Sequence, residues 1–236
     1  MAPTRQPRPV RPRPLRPTRK RAGRYHHGDL SRALVQETLR TIQAQGVEAV
    51  TLRAVGQKLG VSRTALYRHF ADKSALLAAV AREGFRTLRL ELLEAWDRGG
   101  RGREAFAAMG VAYVRFAVAH PSHYRVMFGG LLRDDGTDPE LSKEASGAFQ
   151  ALVDALIAQQ EVGLVRRDDP LQLATFIWAL VHGVAMLAID GRLRHQKADS
   201  EELTRYAVDR VRTGIAAATD AKERPSRERA RGSAHS

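Results

Sequence analysis

The stretch "TLRAVGQKLGVSRTALYRHF", residues 51–70, decides the fold. Two short helical patterns stand on either side of a glycine. Thr51 is placed to cap a helix over 52–59 that Gly60 ends, and Ser62 to cap a second from Arg63 to Phe70. Val55, Leu59, Val61 and Leu66 supply apolar contacts across a tight turn, which Gly60 lets the chain reverse. The pattern is a helix-turn-helix. In that arrangement the first residues of the second helix meet base edges in a major groove.

Each polar residue then has a specific use. Arg63 can bridge O6 and N7 of guanine, and Thr64 can bond a base edge or meet a thymine methyl. Tyr67 and His69 follow on the outer part of the helix, where a phenol or imidazole can bond phosphate oxygens. Lys73 opens the next helix, whose free amides and dipole already favour an anion. Thr51 and Arg53 can reach the backbone or a flanking base, and the capping Ser62 completes the DNA-facing set. Leu66 and Phe70 are core residues, while Arg68 serves equally well as a solvated charge or a contact.

Working outward, charge points to the same partner. The chain of 236 residues carries a formal +13, and residues 1–24 hold nine Arg/Lys with no acid. Six of the ten prolines lie there as well, so 1–24 reads as a disordered basic arm, able to follow phosphates or enter a minor groove. Residues 220–236 read as a disordered tail. Neutralising phosphates releases counterions, which makes double-stranded DNA the expected acidic partner. Cysteine is absent, which excludes disulfides, thiol catalysis and thiolate metal sites and suits a cytoplasmic location. The basic N-terminus has no apolar segment behind it and is not a secretory signal.

The remainder is patterned as helices, with no sustained period of two, so the expected class is all-α. Residues 25–73 form the helix-turn-helix domain and 74–219 a helical effector-binding and dimerisation domain. A long helix from Asp72 toward Trp96 joins them; "DRGGRGR" (97–103) breaks it, and Pro121 ends the helix that follows. The run "LATFIWALVHGVAMLAI", 173–189, is apolar on nearly every face and just long enough to span a bilayer. Its isolation and central His182 favour two packing partners over a membrane, one being a second copy of the chain. A homodimer through helices near 170–190 and 199–219 follows.

Residues 25–80, with Leu66, Tyr67, His69, Phe70 and Lys73 in the pattern L-Y-x-H-F-x-x-K, resemble the DNA-binding domain of TetR/AcrR-type bacterial transcriptional regulators. The resemblance implies a three-helix head, a helical body that dimerises and binds ligand, and repression of a palindromic operator relieved by a small molecule. It also implies DNA roles for Arg53, Arg63, Thr64, Tyr67, His69 and Lys73. "HPSHYRVMFGG" and "FIWALVHGVAMLAIDGRL" resemble the C-terminal domain of TetR-like regulators named for a Trp-His-Gly signature, here Trp178, His182 and Gly183.

No catalytic set emerges. The eight histidines, at 26, 27, 69, 120, 123, 182, 195 and 235, lack metal-ligand spacing, and His120 and His123 straddle Pro121, so a shared helix face is not expected. No cofactor is expected. An apolar ligand pocket is expected from Phe106, Met109, Tyr113, Phe116, Phe128, Trp178, His182 and Met186, for each of which ordinary core or dimer packing is the competing role. Tyr113 and His182 stand out because each brings a polar atom into apolar surroundings and needs a partner. Two other readings of the whole chain stay open: a constitutive architectural DNA binder, and a regulator that activates.

Overall fold

The computed structural model describes residues 27–132, 138–195 and 198–215. The arm, the tail, His26, His235 and residues 216–219 lie outside them. The regular elements of the described residues are helices joined by short turns, with no strand among them. The head consists of α1 (His27–Gln45), a 3-10 turn at Val47–Ala49, α2 (Leu52–Lys58) and α3 (Arg63–Tyr67). Leu34, Val50 and Val55, each at 0% exposure, meet Leu66 and Phe70 in its centre. A polar clasp adds to this: Lys58 of α2 donates to Thr41 Oγ1 at 3.0 Å and pairs with Glu37 at 3.3 Å, both on α1.

The body begins with α4 (Lys73–Arg98) and continues through α5 (Arg103–Ala119), α6 (Pro121–Phe128), α7 (Pro139–Glu161), α8 (Pro170–Ile189), α9 (Arg192–His195) and α10 (Ser200–Ile215). Helix α4 packs most extensively on α7 and α5, while α5, α8 and α10 pack on one another. Buried apolar residues run without interruption from Leu30 to Ile215, so head and body share one core. The position 73/74 falls just inside α4, whose first turns bury Leu76, Leu77 and Val80 beside the head.

One sequence expectation needs correction. The second helix of the motif ends at Tyr67, not Phe70. Asp72 must be extended, at φ −153° and ψ −177°, for its carboxylate to accept from Ala75 N at 2.8 Å, and Phe70 must turn inward to 5% exposure. His69 therefore sits half-buried in the turn and not on the outer face of a helix. At Pro121 the preceding helix stops as expected, and the proline, which lacks an N–H, starts α6 directly after the non-helical His120. The break is so tight that the His120 and His123 rings meet edge to face at 5.7 Å.

Helix α8 is long and apolar enough, by length and composition, to cross a membrane. It nonetheless buries Leu173, Ala174, Ile177, Val181, Val184 and Ala185 against its neighbours. The opposite side keeps Phe176, Met186 and Leu187 exposed.

Candidate nucleic-acid interface and interior cavity

The turn between α2 and α3 is built by backbone as much as by side chains. Val61 N bonds Gly56 O at 3.0 Å and Gly60 N bonds Gln57 O at 3.1 Å, with Gly60 at φ +64°. A Cβ on Gly56 would sit 3.3 Å from Leu66 Cδ2, so the two helices approach closely there. Thr51 Oγ1 accepts from Ala54 N at 3.1 Å and Ser62 Oγ from Ala65 N at 3.2 Å. Both hydroxyl oxygens thus serve as caps, although both residues are exposed.

Arg53, Arg63, Thr64 and Tyr67 are exposed, and the Arg63 guanidinium lies 5.5 Å from the centre of the Tyr67 ring. A concavity lined by Arg53, Gln57, Val61, Arg63, Leu66 and Tyr67 joins α2 to α3. Gln57 was not among the sequence candidates; its spacing of four from Arg53, on the same helix face, was the available signal. Lys73 is placed differently from the others. Its Nζ donates to Val47 O at 3.1 Å, which ties α4 to the 3-10 turn.

The body holds a partly open cavity of about 320 Å³ bounded by α4, α5, α6, α7, α8 and α10. Phe106, Met109, Tyr113, Phe128 and Trp178 line it. Phe116, Met186 and His182 do not. Phe116 is buried against His120, ring centres 5.1 Å apart, and Met186 is 36% exposed near the C-terminal end of α8. Sequence reasoning missed the contribution of α4: Phe85, Leu88 and Leu92 form one wall, at the helical spacing that marks a stripe. It also missed Phe149 and Leu152 of α7 as lining residues.

His182 reaches this cavity through a hydrogen-bonded chain. Trp178 Nε1 donates to Tyr113 Oη at 3.0 Å, Tyr113 Oη lies 3.0 Å from Tyr124 Oη, and Tyr124 Oη lies 2.7 Å from His182 Nδ1. Tyr113 Oη is also 3.2 Å from His182 Nδ1. With Nδ1 as acceptor, every hydroxyl in the chain has one direction to donate. Burial supports that state. It pushes the Tyr113 hydroxyl up to about 12 and Tyr124 higher still, and it holds His182 below the ordinary histidine value. Both phenols therefore stay neutral and keep their protons.

Comparison with known proteins agrees with this architecture. Residues 34–80 match bacterial regulatory proteins of the tetR family, and residues 106–211 match the tetracyclin repressor-like C-terminal domain. A solved protein of unknown function from Rhodococcus sp. RHA1 is 32% identical, with a TM-score of 0.74 over 82% of this chain and 99% of that one. The HTH-type transcriptional repressor AcnR of Corynebacterium diphtheriae is 27% identical over 67% of this chain and 80% of its own length. The TetR-family regulator PfmR of Thermus thermophilus, at 20% identity, shares the fold with a TM-score of 0.61 over 76% and 97% of the two chains. With its helix-turn-helix head and its repressor-like helical body, the chain belongs to the TetR family of bacterial transcriptional regulators.

Proposed function

We propose that the protein is a cytoplasmic repressor that binds a palindromic operator as a homodimer and leaves it when a small molecule fills the body cavity. One observation carries this reading: α4 belongs to both sites. Its first residue, Lys73, is bonded to the head at Val47 O, and its later turns supply Phe85, Leu88 and Leu92 to the cavity wall. An occupant that favours one placement of α4 shifts the population of head positions by its differential affinity. Two heads must reach half-sites about 34–36 Å apart, so a modest change of spacing is enough to weaken binding.

Within the head, Arg63 and Thr64 read bases from the start of α3, with Arg53 and Gln57 flanking them across the concavity. Tyr67 and His69 contact phosphate, and Thr51 and Ser62 hold the helix starts that face the duplex. Lys73 adds long-range attraction from its tethered position. The second copy docks on the exposed apolar face of α8, beside α10. Footprinting with selected genomic fragments tests the reading. One short palindrome protected by a dimer is the expected result, and uniform protection along any duplex would replace it with an architectural role. Reporter expression that rises when the chain is supplied would reverse the sign of regulation.

A further inference from the structure

The cavity wall carries an unused constraint, which is its lack of any charge and of any free donor. None of the lining residues is Asp, Glu, Lys, Arg or His. Its polar members are Tyr113, Thr175 and Trp178, and each spends its proton inside the protein. Thr175 Oγ1 donates to Leu171 O at 2.8 Å, Trp178 Nε1 to Tyr113 Oη at 3.0 Å, and Tyr113 Oη toward Tyr124 or His182. Arg89 and Glu144 stand next in sequence to the lining residues Leu88 and Ala145, but they pair with each other at 3.3 Å.

A buried carboxylate or phosphate would meet no cation and no donor there, and an isolated buried charge costs far more than apolar contact returns. An ammonium would meet no carboxylate. Aromatic faces can hold a cation, but these rings lock edge to face: Phe85 on Phe128 at 80° and 5.3 Å, Phe149 on Trp178 at 74° and 6.1 Å. Such walls offer mixed edges and faces, which suit another flat neutral ring. Size follows by comparison, since an apolar cavity of about 150 Å³ accepts benzene. A volume of about 320 Å³ takes two such rings.

We infer that the cavity selects an uncharged aromatic molecule of about two fused rings and rejects carboxylate and ammonium relatives of the same skeleton. The class of ligand rests on reading the cavity as the effector site. Exposed Thr175, on the α7–α8 side, marks the rim, and its oxygen is left as an acceptor for a single donor on the ligand.

The test uses three probes with one ring system: naphthalene, 2-naphthoate and 2-naphthyltrimethylammonium. Binding to the full chain is measured by thermal shift and equilibrium dialysis. Naphthalene should bind at least tenfold more tightly than either charged relative. Ala148→Phe, which fills the cavity from α7, should remove that binding, and Ala145→Phe serves if the first variant does not fold. Equal or tighter binding of a charged probe overturns the class, as does failure of all three to bind or naphthalene binding that survives the filled cavity. Operator release is scored separately on DNA selected by the protein. Naphthalene that binds the cavity and leaves DNA affinity unchanged supports the ligand class and refutes the release mechanism. A charged probe that binds and releases DNA does the reverse.

Discussion

At His182 one acceptor nitrogen terminates a chain of three donors, and that makes the residue sensitive to acid. Protonating Nδ1 turns an acceptor into a donor, so Tyr124 must turn its proton toward Tyr113, whose own proton then loses its acceptor. Burial holds the folded-state pKa below 6.5, so the folded chain resists a proton that the unfolded chain takes. The contribution of His182 is therefore complete above about 6.5 and is lost as pH falls below it. Melting curves between pH 7.5 and 5.5 should show this loss, and His182→Asn, whose Oδ1 can accept from Tyr124, should lose less. His123 shifts in the same direction through burial, so the difference between the two proteins is the quantity to read. In the head, Arg63→Ala should relax base preference, because Arg63 is exposed at the start of α3. Lys73→Ala should lower affinity across all sequences and also cost some stability, since Val47 O keeps only Val50 N as a donor and α4 loses its side-chain tie to the 3-10 turn. Competition binding on selected and scrambled duplexes checks both, and equal effects on specificity would refute the division of roles.

The helices show where two elements must lie closest. On α4, a Cβ at Gly84 would stand 2.4 Å from Met127 Sδ and 3.3 Å from His123 Cβ, both on α6. Around that contact Gln36 of α1 donates to Glu83 at 3.1 Å, and His123 Nε2 lies 3.6 Å from the same oxygen. Head, α4 and α6 thus meet at one point, and the other side of α6 sends Tyr124 into the hydrogen-bonded chain and Phe128 to the cavity. Gly84→Ala should destabilise by about 1–3 kcal/mol through overpacking. Chemical denaturation measures it; the exchange gains about 1 kcal/mol of helix propensity, so stabilisation of that size would mean that Met127 moves aside freely. This junction was not legible in the sequence: Gly84 sits mid-helix, where a glycine signals only a modest propensity cost. The caps were legible, because Thr51, Ser62 and Asp72 bond only three residues ahead, within reach of local pattern reading. The end of α3 was not, because it depends on Phe70 reaching a core formed by distant residues.

Across the molecule the same distinction between local and distant causes holds. Spacing placed five of the eight pocket candidates on the cavity, but α4 was read only as the helix joining the two domains and its contribution to the wall went unseen. The placement of Met186 outside the cavity is informative for assembly. It joins Phe176, Ala179, Gly183 and Leu187 on one exposed side of α8, with Tyr206 of α10 also exposed. An exposed apolar face of this kind suits the proposed dimer, in which a second copy presenting the same face gives a closed, two-fold interface. Phe176, at 58% exposure, is the largest apolar side chain on that side of α8, and it does not line the cavity. Phe176→Glu should therefore divide the dimer and leave the monomer folded, because two carboxylates would be buried against each other across the two-fold axis. Sedimentation equilibrium reads the mass, and circular dichroism confirms the helices. On DNA, the variant should lose at least tenfold in affinity for a full palindrome while holding a single half-site as well as the parent chain does. A variant that remains dimeric, or that loses half-site binding in equal measure, would move the interface away from α8.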